Sequence, residues 1–256
     1  MIKQKIVERL KSIEHSENIK ILLAVESGSR AWGFASNDSD WDVRFIYIHP
    51  QDWYLSIEDK RDSLEYPADD LLDFSGWELR KALRLFRKSN PPLLEWLRSP
   101  VTYLERFSTA VRMRSLSAGY FNPRSCLHHY LHMASGNFRE YLKSDYVPVK
   151  KYFYVLRPVL ACQWIMKTNT MAPMEFSHLL STQIDDKRLK GAIEELVKRK
   201  KNGDELDKEP RIKIINDYLE ERIGFFEEYV KNSGPITAPD TGKLDLLFRE
   251  TLREVR

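Results

Sequence analysis

Residues 26–48 read ESGSRAWGFASNDSDWDVRFIYI, and the folding of this stretch decides what the chain can be. Ahead of it, residues 19–25 (Ile-Lys-Ile-Leu-Leu-Ala-Val) form a short apolar run of the kind that makes a buried strand. At its far end, residues 41–48 alternate in their first half as a half-exposed strand does. Between the two lie Gly28, Ser29 and Arg30 and a polar, small-residue connection to Asp40. Strand side chains alternate faces, so Asp40 and Asp42 point the same way and their carboxylates converge. Such a pair needs a positive partner, and hard divalent cations such as Mg2+ take carboxylate oxygens while keeping waters that substrate phosphates can replace. Gly28 lets backbone approach a phosphate, amides at a following helix start can donate to it, and Arg30 adds a fixed positive charge. Taken alone, Asn37-Asp-Ser-Asp40 reads better as a polar turn whose side chains bond its own backbone. The ordered set of strand, Gly28-Ser29, connection and Asp40-Trp-Asp42 favours a metal and phosphate site.

Outward from this stretch, Ile2, Ile6, Leu10 and Ile13 mark an amphipathic helix over 2–16. Weaker strands are expected near 62–66 and 71–74, separated by Pro67. Ser75-Gly-Trp-Glu78 has the form of a capping box opening a helix with Leu79, Ala82, Leu83 and Phe86 on one face. Pro91-Pro92 opens a short helix to Leu97. Helical periods follow near 104–117, 124–145, 149–168, 186–201, 210–232 and 241–254, with inter-helix turns at 200–204 and 233–235. The expected fold class is α+β: a small mixed sheet over 1–90, then a helical domain over 91–256.

With 256 residues, 42% of them apolar, the chain is long enough for a real core. Two cysteines without metal-type spacing argue against a disulfide framework and suit a reducing, cytoplasmic setting. The charged amino-terminal segment is unlike a secretory h-region, and no apolar run reaches the roughly 20 residues of a membrane span. Net charge is +3, but residues 1–75 carry −6, 76–170 carry +11 and 171–256 carry −2. An acidic segment before a basic one suits a metal-binding carboxylate cluster beside a polyanion-binding surface, or only solvated helix faces. Arg80, Lys81, Arg84, Arg87 and Lys88 make one such basic face. Neither a Walker loop nor a G-x-G-x-x-G stretch is present, the Ser and Cys residues lack a nucleophile motif, and His128, His129 and His132 lack a further ligand at zinc spacing.

The constellation resembles the nucleotidyltransferase superfamily with a DNA polymerase beta-like fold, whose signature is Gly-Gly or Gly-Ser followed, about a dozen residues on, by Asp-x-Asp on the next strand. Gly28-Ser-Arg-Ala-Trp-Gly-Phe, Ser39-Asp-Trp-Asp-Val-Arg44, Gly76-Trp-Glu-Leu-Arg-Lys-Ala-Leu and Ser89-Asn-Pro-Pro-Leu-Leu-Glu-Trp-Leu are similar to its RNA-ligase-associated branch. So are Gly136-Asn-Phe-Arg-Glu-Tyr and Lys151-Tyr-Phe-Tyr-Val-Leu-Arg-Pro158. The likeness covers about residues 20–165.

The resemblance implies a third carboxylate on a later strand. Asp73, placed just ahead of the expected helix, fits by position better than Glu65, Asp69 or Asp70. It further implies Mg2+ or Mn2+ held by Asp40, Asp42 and Asp73, with Asp73 also a candidate base. A nucleoside triphosphate would be gripped by Gly28 and Ser29 with Arg30 beside it, and Lys151 and Arg157 would contribute from a helical domain. Two metals so held can stabilise the entering and leaving oxygens of an in-line displacement. The expected function is transfer of a nucleoside monophosphate to an acceptor, with an RNA end favoured, in association with an RNA ligase. The alternatives are AMP transfer to a protein, as in toxin and antitoxin systems, and a module that binds without catalysis.

Overall fold

A computed structural model describes residues 2–69, 71–204, 207–232, 234 and 239–256, with the backbone alone at 67–69. The elements begin α1 (Ile2–Ser16), β1 (Lys20–Glu26), α2 (Gly28–Trp32), β2 (Trp41–Ile48), α3 (Gln51–Tyr54), β3 (Ser63–Asp69) and β4 (Leu72–Glu78). Then come α4 (Leu79–Arg87), α5 (Pro91–Trp96), β5 (Thr102–Glu105), α6 (Thr109–Tyr120), α7 (Pro123–Tyr141), β6 (Tyr146–Pro148) and α8 (Lys151–Thr168). The last are α9 (Phe176–Gln183), α10 (Lys187–Asn202), β7 (Lys208–Pro210), α11 (Lys213–Lys231) and α12 (Gly242–Glu254). The class is α+β, with a five-stranded mixed sheet early in the chain and a mainly helical remainder. No described helix is long and apolar enough to cross a membrane.

Contacts group the chain into two compact units: residues 1–31, 40–120 and 238–256 in one, 32–39 and 121–237 in the other. In the first unit the strand order is β3-β4-β2-β1-β5. β2 and β4 run parallel and every other neighbouring pair antiparallel. Ile6, Leu10 and Ile13 of α1 are buried against one face, on Ile21, Ala24, Val43, Phe45, Tyr47 and Phe74. The period read from the sequence is therefore the period that packs. A single division after residue 90 does not follow this grouping. β1 needs a partner on its second edge, because a strand's N–H and C=O groups must be satisfied, and β5 supplies it. α12 likewise joins the first unit, where Thr251 and Thr109 share a buried hydrogen bond of 2.9 Å and Phe248 meets Tyr54 edge-on.

Three local expectations are corrected. Ser75–Glu78 is strand and no capping box: its backbone pairs with β2 in register as far as Tyr47↔Glu78. The helix starts one residue later, and Glu78 itself caps it by accepting from the amides of Arg80 and Lys81. The helix expected near 104–117 starts later, as α6 at Thr109, because Thr102–Glu105 is taken up as β5 in pairing with β1. Pro67 lies within β3 and does not separate two strands. The turn expected at 200–204 is present, with Gly203 closing α10. That at 233–235 lies largely outside the described residues, as do Asp70 and the side chain of Asp69.

Gly76 shows how closely β2 and β4 are packed. It pairs with Phe45, and a Cβ on it would fall 2.2 Å from the Phe45 ring. Gly76→Ala is expected to lower stability by about 1–3 kcal/mol through overpacking. Denaturant titration should show most of that loss recovered in a Phe45→Leu background, and a Gly76→Ala protein as stable as the parent would refute this packing.

The second unit is built on α7 and α8. α8 is buried nearly all round, by residues such as Tyr152, Phe153, Leu156 and Leu160. Phe34 stacks on Phe153 at 4.7 Å and meets Phe176 edge-on at 5.4 Å, and Ser36 Oγ accepts from Lys200 Nζ at 3.0 Å. These contacts attach residues 32–39 to the helices. β6 and β7 form a two-stranded ribbon.

Candidate active site

β1 ends at Glu26 and the chain turns at once, with Ser27 N–H donating to the Asp42 carbonyl at 2.9 Å. Gly28 then adopts φ +61, and a Cβ there would sit 2.1 Å from Asp42 Oδ2. Glycine is thus required twice, for a left-handed backbone and for close approach to a carboxylate. Arg30 lies with its guanidinium 3.7 Å over the Trp41 ring and donates from Nε to the Asp40 carbonyl at 3.1 Å. It clasps the two ends of the connection together.

Parallel pairing sets Asp42 of β2 opposite Asp73 of β4. Arg44, two residues on and so on the same face as Asp42, reaches both: its Nη2 donates to Asp42 Oδ1 at 2.8 Å and to Asp73 Oδ2 at 2.7 Å. Its Nη1 lies 3.2 Å from the Val43 carbonyl and 3.3 Å from that of Asp73. Asp42 and Asp73 are therefore brought together, with a guanidinium between them. Asp40 stands one residue before β2 and is exposed. Among the described residues no three acidic, His or Cys side chains are gathered closely enough to hold a metal ion. The donor chemistry nonetheless suits one: Asp42 and Asp73 present hard oxygens to a single point that already holds positive charge, the coordination Mg2+ and Mn2+ accept.

Beneath Asp42 lies a group the sequence reading missed. Glu26 is 1% exposed. One of its oxygens accepts from the Asp42 amide at 2.8 Å and the other accepts from the Tyr103 hydroxyl of β5. Its own carbonyl accepts from Ser99 Oγ at 2.6 Å. Burial pushes its carboxyl up to about 7, a rise that the Tyr103 and Asp42 donors limit. The same burial raises the Tyr103 hydroxyl above its ordinary value. The signal for Arg44 was present, since it follows Asp42 at strand spacing; an acidic residue closing an apolar run was the only sign of Glu26. Nothing in the sequence pointed to Tyr103, because β5 has no strand pattern that marks it and its pairing with β1 is long-range.

A raised carboxyl pKa stabilises the fold below the unfolded value and is a liability above it. Glu26 should therefore cost stability as pH rises from about 4.5 to about 7, by at most about 3 kcal/mol. Glutamine copies the protonated acid, accepting from the Asp42 amide and donating to the Tyr103 oxygen. Urea midpoints at pH 5 and pH 8, taken in chelator, should fall less for Glu26→Gln than for the parent; an equal fall would show that Glu26 does not titrate in this window.

A sequence model of the RNA repair pathway DNA polymerase beta family (RlaP) matches residues 2–250. The chain belongs to this family. The Bacillus subtilis (strain 168) protein described as "Uncharacterized protein YcgL" is 50% identical over 254 residues, covering 99% of this chain and 98% of that one. A solved structure, a nucleotidyltransferase-like protein from Exiguobacterium sibiricum 255-15, aligns over 91% of this chain and 82% of that one, with 11% identity and a TM-score of 0.33. The family match extends through α10 and α11, where the sequence carries no motif of the resembling branch.

Two family-implied cations, Lys151 and Arg157, belong to the second unit. Lys151 opens α8 with its ammonium 4.1 Å from the Tyr141 ring centre and 5.2 Å from that of Tyr154. Arg157 is 3% exposed, its guanidinium 4.6 Å over the Trp32 ring and its Nη2 3.8 Å from the Met174 sulfur. The basic face expected on α4 is partly engaged within the first unit. Lys81 pairs with Asp62 at 2.9 Å, Arg80 lies over Tyr54, and Arg87 donates to the Pro239 carbonyl at 2.6 Å.

Proposed function

We propose that this protein is a divalent-metal-dependent nucleotidyltransferase that moves a nucleoside monophosphate from a nucleoside triphosphate to an RNA end. The observation that carries the reading is the Asp42–Asp73 pair on adjacent parallel strands, with Gly28 closed against Asp42. Asp42 and Asp73 would hold Mg2+ or Mn2+ through the oxygens now bonded to Arg44, with Asp40 completing the set as the connection adjusts. Bound there, the metal would stabilise charge on the attacking and leaving oxygens of an in-line displacement at phosphorus. Asp73, on the neighbouring strand, is the carboxylate proposed to take the proton of the attacking hydroxyl. Ser29 and the backbone amides at Gly28 and Ser29 would bind the departing pyrophosphate, with Arg30 holding the connection in place. Of the two second-unit cations, Lys151 is the more exposed and the better placed to take an anion. RNA is the favoured acceptor because the family is named for RNA repair and the charge of residues 76–170 is strongly positive. Functional association with an RNA ligase belongs to the same reading.

The test is incubation with each labelled triphosphate, Mg2+ or Mn2+ and pooled RNA. Label on RNA, metal-dependent and absent from an Asp40→Ala, Asp42→Ala double variant, supports the reading. Label on protein in its place would transfer the assignment to AMP transfer, and no label with no metal-dependent triphosphate binding would leave a binding module.

A further inference from the structure

β2 sends Asp42 and Arg44 to one face of the sheet and Val43, Phe45 and Tyr47 to the other, against α1. Five residues beyond Asp42, about 17 Å along the strand, Tyr47 lines a cavity of about 360 Å³ on that second face. Tyr47 is fully buried, and its hydroxyl has no hydrogen-bond partner among the described residues. A buried donor without a partner is uncommon, and the side chain that carries it lines a space large enough for a small ligand.

The other walls supply three chemistries. Trp53 lies flat on His49 at 4.1 Å with an interplanar angle of 5°, and Tyr66 adds a third ring. Burial holds the His49 imidazole down near 4, so it is neutral at pH 7 and packs as an aromatic ring. Glu17 is the acceptor of the Tyr66 hydroxyl, at 2.8 Å, and keeps oxygen capacity for a further donor. At the exposed rim stand Lys60, 5.4 Å from the Trp53 ring centre, and Arg61, 3.9 Å from Glu65 in an exposed pair. Flat apolar rings, a carboxylate and a tyrosine hydroxyl, and two flexible cations answer in turn to a planar heterocycle, its amino and carbonyl groups, and a phosphate.

We propose that this cavity is a second ligand site that takes one nucleotide unit, either a free nucleoside monophosphate or a nucleotide of a single RNA strand. Its residues share none with the carboxylate site, and binding here does not depend on the protein being a nucleotidyltransferase. The ring packs on the Trp53–Tyr66 side, Glu17 meets the base edge together with the Tyr47 hydroxyl once a small side-chain shift opens it to the ligand, and Lys60 and Arg61 hold the phosphate.

Isothermal titration of the full chain, in EDTA, with AMP, GMP, CMP and UMP and with a short single-stranded RNA tests the site. Saturable binding of a monophosphate identifies a free nucleotide, and binding of the RNA alone identifies a strand. Tyr47→Phe should weaken the binding about fivefold and Lys60→Ala with Arg61→Ala about tenfold, as expected for one hydrogen bond and for two phosphate contacts. Asp42→Asn with Asp73→Asn should leave it unchanged. The surface positions of Lys60 and Arg61 keep the test open should Tyr47→Phe fold poorly. No binding of any probe, binding indifferent to both the Tyr47 and the Lys60/Arg61 variants, or binding lost with Asp42 and Asp73 would overturn the site.

Discussion

Asp42→Asn and, separately, Asp73→Asn are expected to reduce nucleotidyl transfer about a thousandfold, the loss of several kcal/mol of transition-state stabilisation that a metal site supplies. Each asparagine keeps the side-chain shape and an oxygen facing Arg44 Nη2, so circular dichroism and thermal melting should change little. Partly exposed ion pairs such as these two contribute only about 1 kcal/mol or less to stability. Mn2+ binding, followed by calorimetry or electron paramagnetic resonance, should weaken together with activity. Arg44 supplies the opposite arm. Its guanidinium holds the oxygens that a metal would need, so Arg44→Gln should bind Mn2+ roughly fivefold more tightly in the absence of nucleotide, the equivalent of about 1 kcal/mol of competition removed. Weaker metal binding in Arg44→Gln would mean that the arginine orders the carboxylates and does not compete for them.

Gly28→Ala is the second large effect. A left-handed backbone at alanine costs about 1–2 kcal/mol. The added methyl would also fall on Asp42 Oδ2, which must move by an ångström or more to escape a 2.1 Å contact. Misplacing a reacting group by about 1 Å can cost about a hundredfold in rate. Activity should therefore drop by about that factor or more, while the melting temperature moves by only a few degrees. The two readouts separate the site from the scaffold: a stability loss with activity kept within threefold would show that Asp42 is not the carboxylate that matters.

Both effects trace to residues whose spacing was visible in the chain. Asp42 and Arg44 share a face because strands alternate, α1 buries Ile6, Leu10 and Ile13 because helices repeat every 3.6 residues, and Gly28 follows an apolar run because the strand ends there. Each of these rests on geometry that repeats over a few residues. The choice of Asp73 as the partner carboxylate came from family likeness and position, and parallel pairing of β2 with β4 sets it beside Asp42.

What lay beyond the sequence is long-range. Arg44 bridges to a carboxylate 29 residues away, and Glu26 meets Tyr103 across 77. The helical period read near 104–117 begins only at Thr109, since β1 has an edge that Thr102–Glu105 satisfies, and Ser75–Glu78 is drawn into the sheet by β2 before a helix can start. Residues 32–39 read as a polar connection, yet Phe34 places them with the helices. The local periods of the chain determined most of its elements and the two faces of β2, since those depend on neighbours in sequence. Tertiary structure alone decided which strands pair, that a carboxyl lies buried under Asp42, and that a guanidinium stands between Asp42 and Asp73, since hydrogen-bond satisfaction and burial join residues that no local period connects.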